Sequence, residues 1–330
     1  MKSTKITNLS FMLALGIVWR HSMLPYVPEN TPWQGLLLGM HYTNIMMDTI
    51  VPTFFFISGY LFFRTYTPSA YMDKLRSRVR SLLVPYLLWN AIFAAVWYAV
   101  VRYAPQYVSD TFPYGSAMEI VSGILMSHYT ILWYLGVIFV YALIAPLLWM
   151  MIRDKRTFCI CLLIACVVCI VFRHPFCSPA LWLPIYMTGG YIGVHHKDFF
   201  FRSQSVYITM PALIALPLAL YWDTFWHSNL SMNIVQWLGP AFCIGLYDVI
   251  NRLIRIPTLS FFKYSFFLYA MHYMPLHVAE RFCLSEWKHP LVPYLTYFFV
   301  PVLVVVLVML VARLTDRYAN PLYRLLSGGR

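Results

Sequence analysis

Long apolar runs separated by short polar segments repeat along this 330-residue chain. Ten runs stand out: Ile6–Leu24, Ile45–Phe63, Leu82–Tyr103, Ile131–Ile152, Phe158–Phe172, Leu181–Val194, Val206–Trp222, Met232–Ile250, Phe266–Glu280 and Leu291–Leu314. Several approach the ~20 residues a helix needs to cross hydrocarbon, and two or three are shorter. The pattern predicts an all-α fold, a polytopic membrane helical bundle of about ten transmembrane helices. Lysine and arginine set its orientation, because cytoplasmic segments retain them. With the N-terminus inside, 19 of the 24 basic residues fall on the cytoplasmic side, and Arg20, Arg102, Arg173, Arg281 and Lys288 fall on or near the outer side. Both termini are then cytoplasmic.

Composition agrees with that picture. Hydrophobic residues make up 61% of the chain and charged residues 11%, where a soluble domain carries about a quarter charged. The net charge of +12 is a topology signal rather than a nucleic-acid surface, so no nucleic-acid partner is expected. No linker, low-complexity stretch or internal repeat divides the chain, which predicts a single membrane domain over 1–330. Lys2 and Lys5 before an apolar run resemble a secretory signal. No small-residue cleavage site follows, and Pro25, Pro28 and Pro32 come soon after, so the first helix is read as uncleaved. The "CICLLIACVVC" of Cys159–Cys169 mimics a metal spacing, but it would set thiolates on several faces of one helix. Packing is the expected role, and no metal is expected. In the longest outer segment, "SAMEIVSGILMSHYT" is amphipathic enough to lie in the interface.

Candidate chemistry starts with "ALGIVWRHS", where an apolar helix runs into Arg20 and His21. Ionisable residues in spanning helices are costly, and their default reading is functional. Arg20 can snorkel to headgroups, whereas His21 titrates near neutral pH and suits a general base. Lys74, Arg76, Arg78 and Arg80 crowd the loop after the second run. Such a run can anchor on anionic lipid or clamp phosphates. In "FFKYSFFLYAMHY", the spacing puts Ser265, Tyr269 and His272 on one helical face, to serve either a helix–helix bond or a substrate. Asp48 is placed near the outer start of the second run, at a depth close to His21. His41 and His128 are expected in outer, solvated segments. For Glu280, a local ion pair with Arg281 is explanation enough.

Four blocks in order, "ALGIVWRHS", "FFFISGYLFF", the basic run into "LLVPYLLWN", and "LWYL" followed by "YSFFLYAMH", make the chain resemble the acyltransferase-3 family of bacterial integral membrane O-acyltransferases, in its short stand-alone branch. The resemblance implies transfer of an acyl group, usually acetyl, from cytoplasmic acyl-coenzyme A to a hydroxyl of a cell-envelope glycan or glycolipid. It implies a multi-pass protein of the bacterial inner membrane. Acetyl-coenzyme A or another acyl-coenzyme A would be co-substrate, with no tightly bound cofactor. The partners would be membrane lipid and a glycan or lipid-linked saccharide. Carried across, His21 is the first-helix histidine and the catalytic candidate, Arg78 belongs to the basic loop, Trp133-Tyr134 is the aromatic pair before the fourth helix, and His272 is the late histidine. With the residues read from the pattern, Lys74, Arg76, Arg78 and Arg80 are the candidates for binding the acyl donor, and Asp48, Trp133, Tyr134, Ser265, Tyr269 and His272 those for a channel or the acceptor site.

Three positions depart from the family pattern. Ser10 stands where many members carry arginine, and Ser81 stands where the second arginine of an Arg-x-x-Arg motif would follow Arg78. Ile138 also replaces a glutamate found in one branch. His21 would act as general base on the acceptor hydroxyl, or would itself accept and pass on the acyl group. The rival readings are a glycan or lipid transporter and a non-catalytic subunit of a polysaccharide synthesis system.

Overall fold

The computed structural model describes residues 4–22, 36, 39–40, 43, 46–107, 114–172, 177–202, 211, 213–218, 229–287 and 289–329. The helices are α1 (Thr4–Arg20), α2 (Ile50–Phe63), α3 (Tyr71–Arg78), α4 (Val84–Tyr103), α5 (Ala117–Leu125), α6 (Trp133–Leu143), α7 (Ala145–Ile152), α8 (Lys155–Val171), α9 (Pro179–His195), α10 (Asn229–Ile254), α11 (Ser265–Met271), α12 (Tyr273–Glu286), α13 (Val292–Tyr318) and α14 (Asn320–Ser327). There is no strand among the described residues, so the fold is all-α as the pattern predicts. His41, most of the Val206–Trp222 run and the first outer segment lie outside the described residues.

By length and apolarity, two helical stretches among the described residues can cross a membrane: Pro68–Tyr103, of 36 residues, and Val292–Tyr318, of 27. A third arises if α6 and α7 form one span. These two are bent by 73°, which corrects the expectation of one straight Ile131–Ile152 run. Pro146 opens α7, and a proline inside a helix both removes an N–H and clashes with the carbonyl four residues back. The basic segment after α2 is also not a loop. It is α3, continued by a π turn at Val79–Leu83 into α4. Pro85 explains the wide turn, because it cannot donate to Ser81 and pushes that carbonyl away.

The chain divides into two compact units. The first comprises Met1–Met12, Ile45–Arg78 and Val137–Leu259. Its tightest contact is backbone on backbone between α2 and α9. A Cβ on Gly189 would stand 2.1 Å from the Phe56 carbonyl oxygen, and one on Gly59 would stand 2.2 Å from that of Tyr186. Small residues at i and i+4, here Gly189 and Gly193, give helices in hydrocarbon this close approach. Phe55 then stacks on Trp182 with centroids 5.0 Å apart, and the Tyr141 hydroxyl donates to the Pro179 carbonyl.

The same unit buries an ion pair. Lys5 Nζ donates to Asp248 Oδ2 at 2.7 Å, with both side chains under a tenth exposed. Beside it, Asn8 Nδ2 donates to the Tyr247 hydroxyl at 3.3 Å and to the Ile256 carbonyl at 3.3 Å. Lys5, which reads in the sequence as a topology charge, is thus a packed residue. In α8, by contrast, Cys159 is exposed and Cys169 buried. The former belongs to an apolar face with Ile160, Leu163, Ile164 and Val167, and only the latter is core.

The second unit comprises Leu13–Asn44, Val79–Gly136 and Ser260–Arg330. Several of its polar groups are matched pairwise. Trp89 Nε1 donates to the Leu326 carbonyl at 3.0 Å, and Trp97 Nε1 donates to that of Tyr129 at 3.1 Å. Thr130 Oγ1 donates to Asn90 Oδ1 at 2.9 Å. Lys263 and the Tyr264 hydroxyl both reach Asp316 Oδ2, at 2.7 and 3.0 Å, tying the approach to α11 onto α13. The amphipathic piece forms α5, started by a capping box. Ser116 Oγ accepts from the Glu119 N–H at 3.2 Å, and Glu119 Oε2 accepts from the Gly115 N–H at 2.8 Å. Met118, Val121, Leu125 and Met126 stand exposed along it, as an interfacial helix requires.

Two substitution tests follow from these contacts. Gly189→Ala forces α2 and α9 apart and lowers stability by about 1–3 kcal/mol or more, read as a fall in thermal midpoint in detergent. Lys5→Met or Asp248→Asn alone strands a buried charge and costs about 3–5 kcal/mol, while replacing both with apolar residues of like volume recovers most of it. A double-mutant cycle on the same midpoint checks this.

Candidate functional site

The end of α1 meets the break between α11 and α12 within the second unit. His21 follows Arg20, its backbone N–H still bonded to the Ile17 carbonyl at 3.1 Å, and its ring is half-buried. The break has a chemical cause. Pro275 sits in the first turn of α12 and cannot supply the N–H that a continuous helix would need. His272 lies at the corner, fully buried. Its Nδ1 is 3.0 Å from the Leu268 carbonyl oxygen and 3.0 Å from that of Tyr269, so it serves the last carbonyls of α11.

The rings assemble around His21. Its centroid is 5.6 Å from that of His272, and Tyr273 stands edge-on at 5.5 Å. Tyr273 in turn packs against His277 at 4.3 Å. Next to His21, the buried Ser22 hydroxyl donates to Glu280 Oε1, and Glu280 has no exposed surface. The sequence reading gave Glu280 a local partner in Arg281. The structure gives it a partner 258 residues away in the chain. Tyr273, His277 and Ser22 were not singled out from the sequence, and Glu280 was read only with Arg281. The one sequence signal was helical spacing, since 273, 277 and 280 share a face of α12.

The aromatic candidates form a neighbouring group. Tyr134 and Tyr269 meet edge-on at 6.0 Å, and the Tyr269 hydroxyl donates to the Ile131 carbonyl at 3.0 Å. Tyr86 donates to the Leu125 carbonyl at 2.6 Å. Tyr269 is thereby committed to a contact between segments, while its ring lines the same face as His272. Trp133 and Ser265, both half-buried, open α6 and α11. His128 is exposed, as expected.

Lys74, Arg76, Arg78 and Asp48 belong to the first unit. Lys74 Nζ donates to the Phe62 carbonyl at 3.1 Å and to Thr65 Oγ1 at 2.7 Å, capping the C-terminal end of α2. It and Arg78 lie over the Phe62 ring at 5.3 and 5.2 Å. Arg76 is exposed and within 3.5 Å of Asp73. Arg80, in the second unit, stands exposed on the π turn, with the half-buried Ser81 beside it. Asp48 is half-buried in the 3₁₀ turn Met47–Thr49 that leads into α2. Among the described residues, no group of three His, Cys, Asp or Glu is placed to hold a metal.

The Acyltransferase domain family, Acyl_transf_3, aligns with residues 6–313. The chain belongs to this acyltransferase-3 family. The chain is also 30% identical over 121 residues to a protein named Succinoglycan biosynthesis protein ExoH, of Rhizobium meliloti (strain 1021). That match takes in 33% of this chain and 32% of the relative, so the alignment spans about a third of the curated protein. No solved structure matches. Members of this family are integral membrane proteins, and the apolar helices of this chain fit that class.

Proposed function

We propose that this protein is an O-acyltransferase of the bacterial inner membrane that moves an acyl group, acetyl in the first instance, from cytoplasmic acyl-coenzyme A to a hydroxyl of a cell-envelope glycan or glycolipid. The observation that carries the reading is the family match over residues 6–313, with the first-helix histidine set among His272, Tyr273 and the Ser22–Glu280 pair. The relative named for succinoglycan biosynthesis supports a glycan as acceptor. The bias of lysine and arginine supports about ten spans with both termini inside.

In this reading, the arginines of α3 and the π turn meet the phosphates of the donor at the cytoplasmic face, since guanidinium forks match phosphate oxygens. The acyl end is delivered to His21. A thioester needs little activation, so the gain comes from the acceptor. His21 takes the proton of the acceptor hydroxyl, the oxygen attacks the thioester carbonyl carbon, and the carbon–sulfur bond breaks. Ser22 and Glu280 hold the turn after α1 in place, which fixes the ring of His21. Tyr134, Tyr269 and Trp133 offer aromatic faces for a sugar ring or an acyl chain.

Membranes holding equal amounts of wild type or His21→Ala, given acetyl-coenzyme A labelled in the acetyl group and native envelope acceptors, test the reading. The wild type places label in base-labile glycan or glycolipid, and His21→Ala lowers that by about 10²-fold or more. Equal labelling removes His21 from the chemistry. Label retained on the protein when acceptor is withheld replaces the base role with an acyl-histidine. Absence of label in both points to transport or to a non-catalytic subunit.

A further inference from the structure

The fold decides the chemistry of both ring nitrogens of His272. Nδ1 lies 3.0 Å from two carbonyl oxygens, those of Leu268 and Tyr269. Carbonyl oxygens only accept, so Nδ1 carries a hydrogen. The opposite nitrogen, Nε2, is buried and has no hydrogen-bond partner among the described residues. In the neutral ring it is a lone pair with no donor, and a buried polar atom left unmatched is costly. The ring of His21 lies beside it, 5.6 Å away between centroids and tilted by 45°. Two imidazoles sharing an N–H···N bond of about 3 Å have centroids roughly 5 Å apart. A small rotation of His21 therefore closes the contact.

We propose that His272 is a positioning residue for His21: its Nε2 accepts the N–H of His21 and so fixes the tautomer of the catalytic ring. The two carbonyls at Nδ1 make this one-way, because His272 cannot turn round and donate through Nε2 while neutral. The other nitrogen of His21 is then bare and available to the acceptor hydroxyl. Tyr273, edge-on to His21 at 5.5 Å and backed by His277, limits the ring to small rotations. As the acceptor oxygen bonds to the thioester carbon, its proton moves to the bare nitrogen of His21. The carbon–sulfur bond breaks, and the leaving thiolate takes that proton from the imidazolium. Throughout, the imidazolium keeps donating to His272 Nε2. The inference rests on the acyltransferase reading and on His21 as its base.

Two variants separate a positioning role from a packing one. In His272→Asn, the amide nitrogen stands near the place of Nδ1 and can still donate to the two carbonyls, but nothing remains at Nε2. In His272→Gln, the longer side chain carries its amide oxygen to the place of Nε2 as an acceptor. The expected result is a fall of about 10²-fold or more in kcat for His272→Asn with the KM for acetyl-coenzyme A unchanged. In His272→Gln, kcat is restored to within about tenfold of wild type. Nitrogen-15 spectra of labelled histidine in nanodiscs show His21 as one tautomer in the wild type and as a mixture in His272→Asn. Wild-type kcat in His272→Asn overturns the proposal, as does His272→Gln no better than His272→Asn, or an unchanged His21 spectrum. If the wild type itself transfers nothing, the acyltransferase reading has failed, while the spectra still decide the pairing of the two rings.

Discussion

Hydrocarbon offers no hydrogen bonds, and this constraint decides where each polar group of the protein stands. A donor or acceptor inside an apolar bundle must find its partner within the chain. Lys5 finds Asp248, Ser22 finds Glu280, and Tyr269 finds the Ile131 carbonyl. The indoles of Trp89 and Trp97 reach carbonyls distant in sequence. His272 follows the same rule at one nitrogen and leaves the other without a mate. That nitrogen has chemical meaning because of where it stands, beside the ring of the catalytic candidate.

Two kinds of apolar helix result from the same composition. In α2, ten of the 14 residues are buried, and its one glycine, Gly59, presses against the backbone of α9. In α8, only Phe158 and Cys169 are buried, and the aliphatic side chains face outward. Hydropathy treats the two alike, because protein interior and lipid tails are equally apolar. Spacing of small residues is the better discriminant.

The helical class, the place of His21 at the end of α1 and the polar face around His272 were legible in the sequence, because they depend on local periodicity. Long-range pairing was not. Nothing next to Glu280 announces Ser22, and the neighbouring Arg281 offers a plausible local partner. Lys5 and Lys74 read as membrane-surface charges, yet one is salt-bridged inside the first unit and the other caps α2. The break at Pro146 was visible as a residue type, and only the 73° bend shows that the helix does not absorb it. The corner at His272 had a similar signal in Pro275, three residues on. The residue that the proline sets free was the informative one.

The close seam of α2 has a consequence for how the lipid acts on this protein. A helix whose surroundings are other helices has no hydrophobic length to match, and at 14 residues α2 needs none. Thickening or thinning of the bilayer is felt instead by α13 and by the Pro68–Tyr103 stretch, whose apolar side chains face outward along much of their length. Mismatch costs there are fractions of a kcal/mol per ångström. Membrane thickness thus becomes a mechanical input to those long helices, and the glycine-packed seam within the first unit has no lipid-matched length for it to act on.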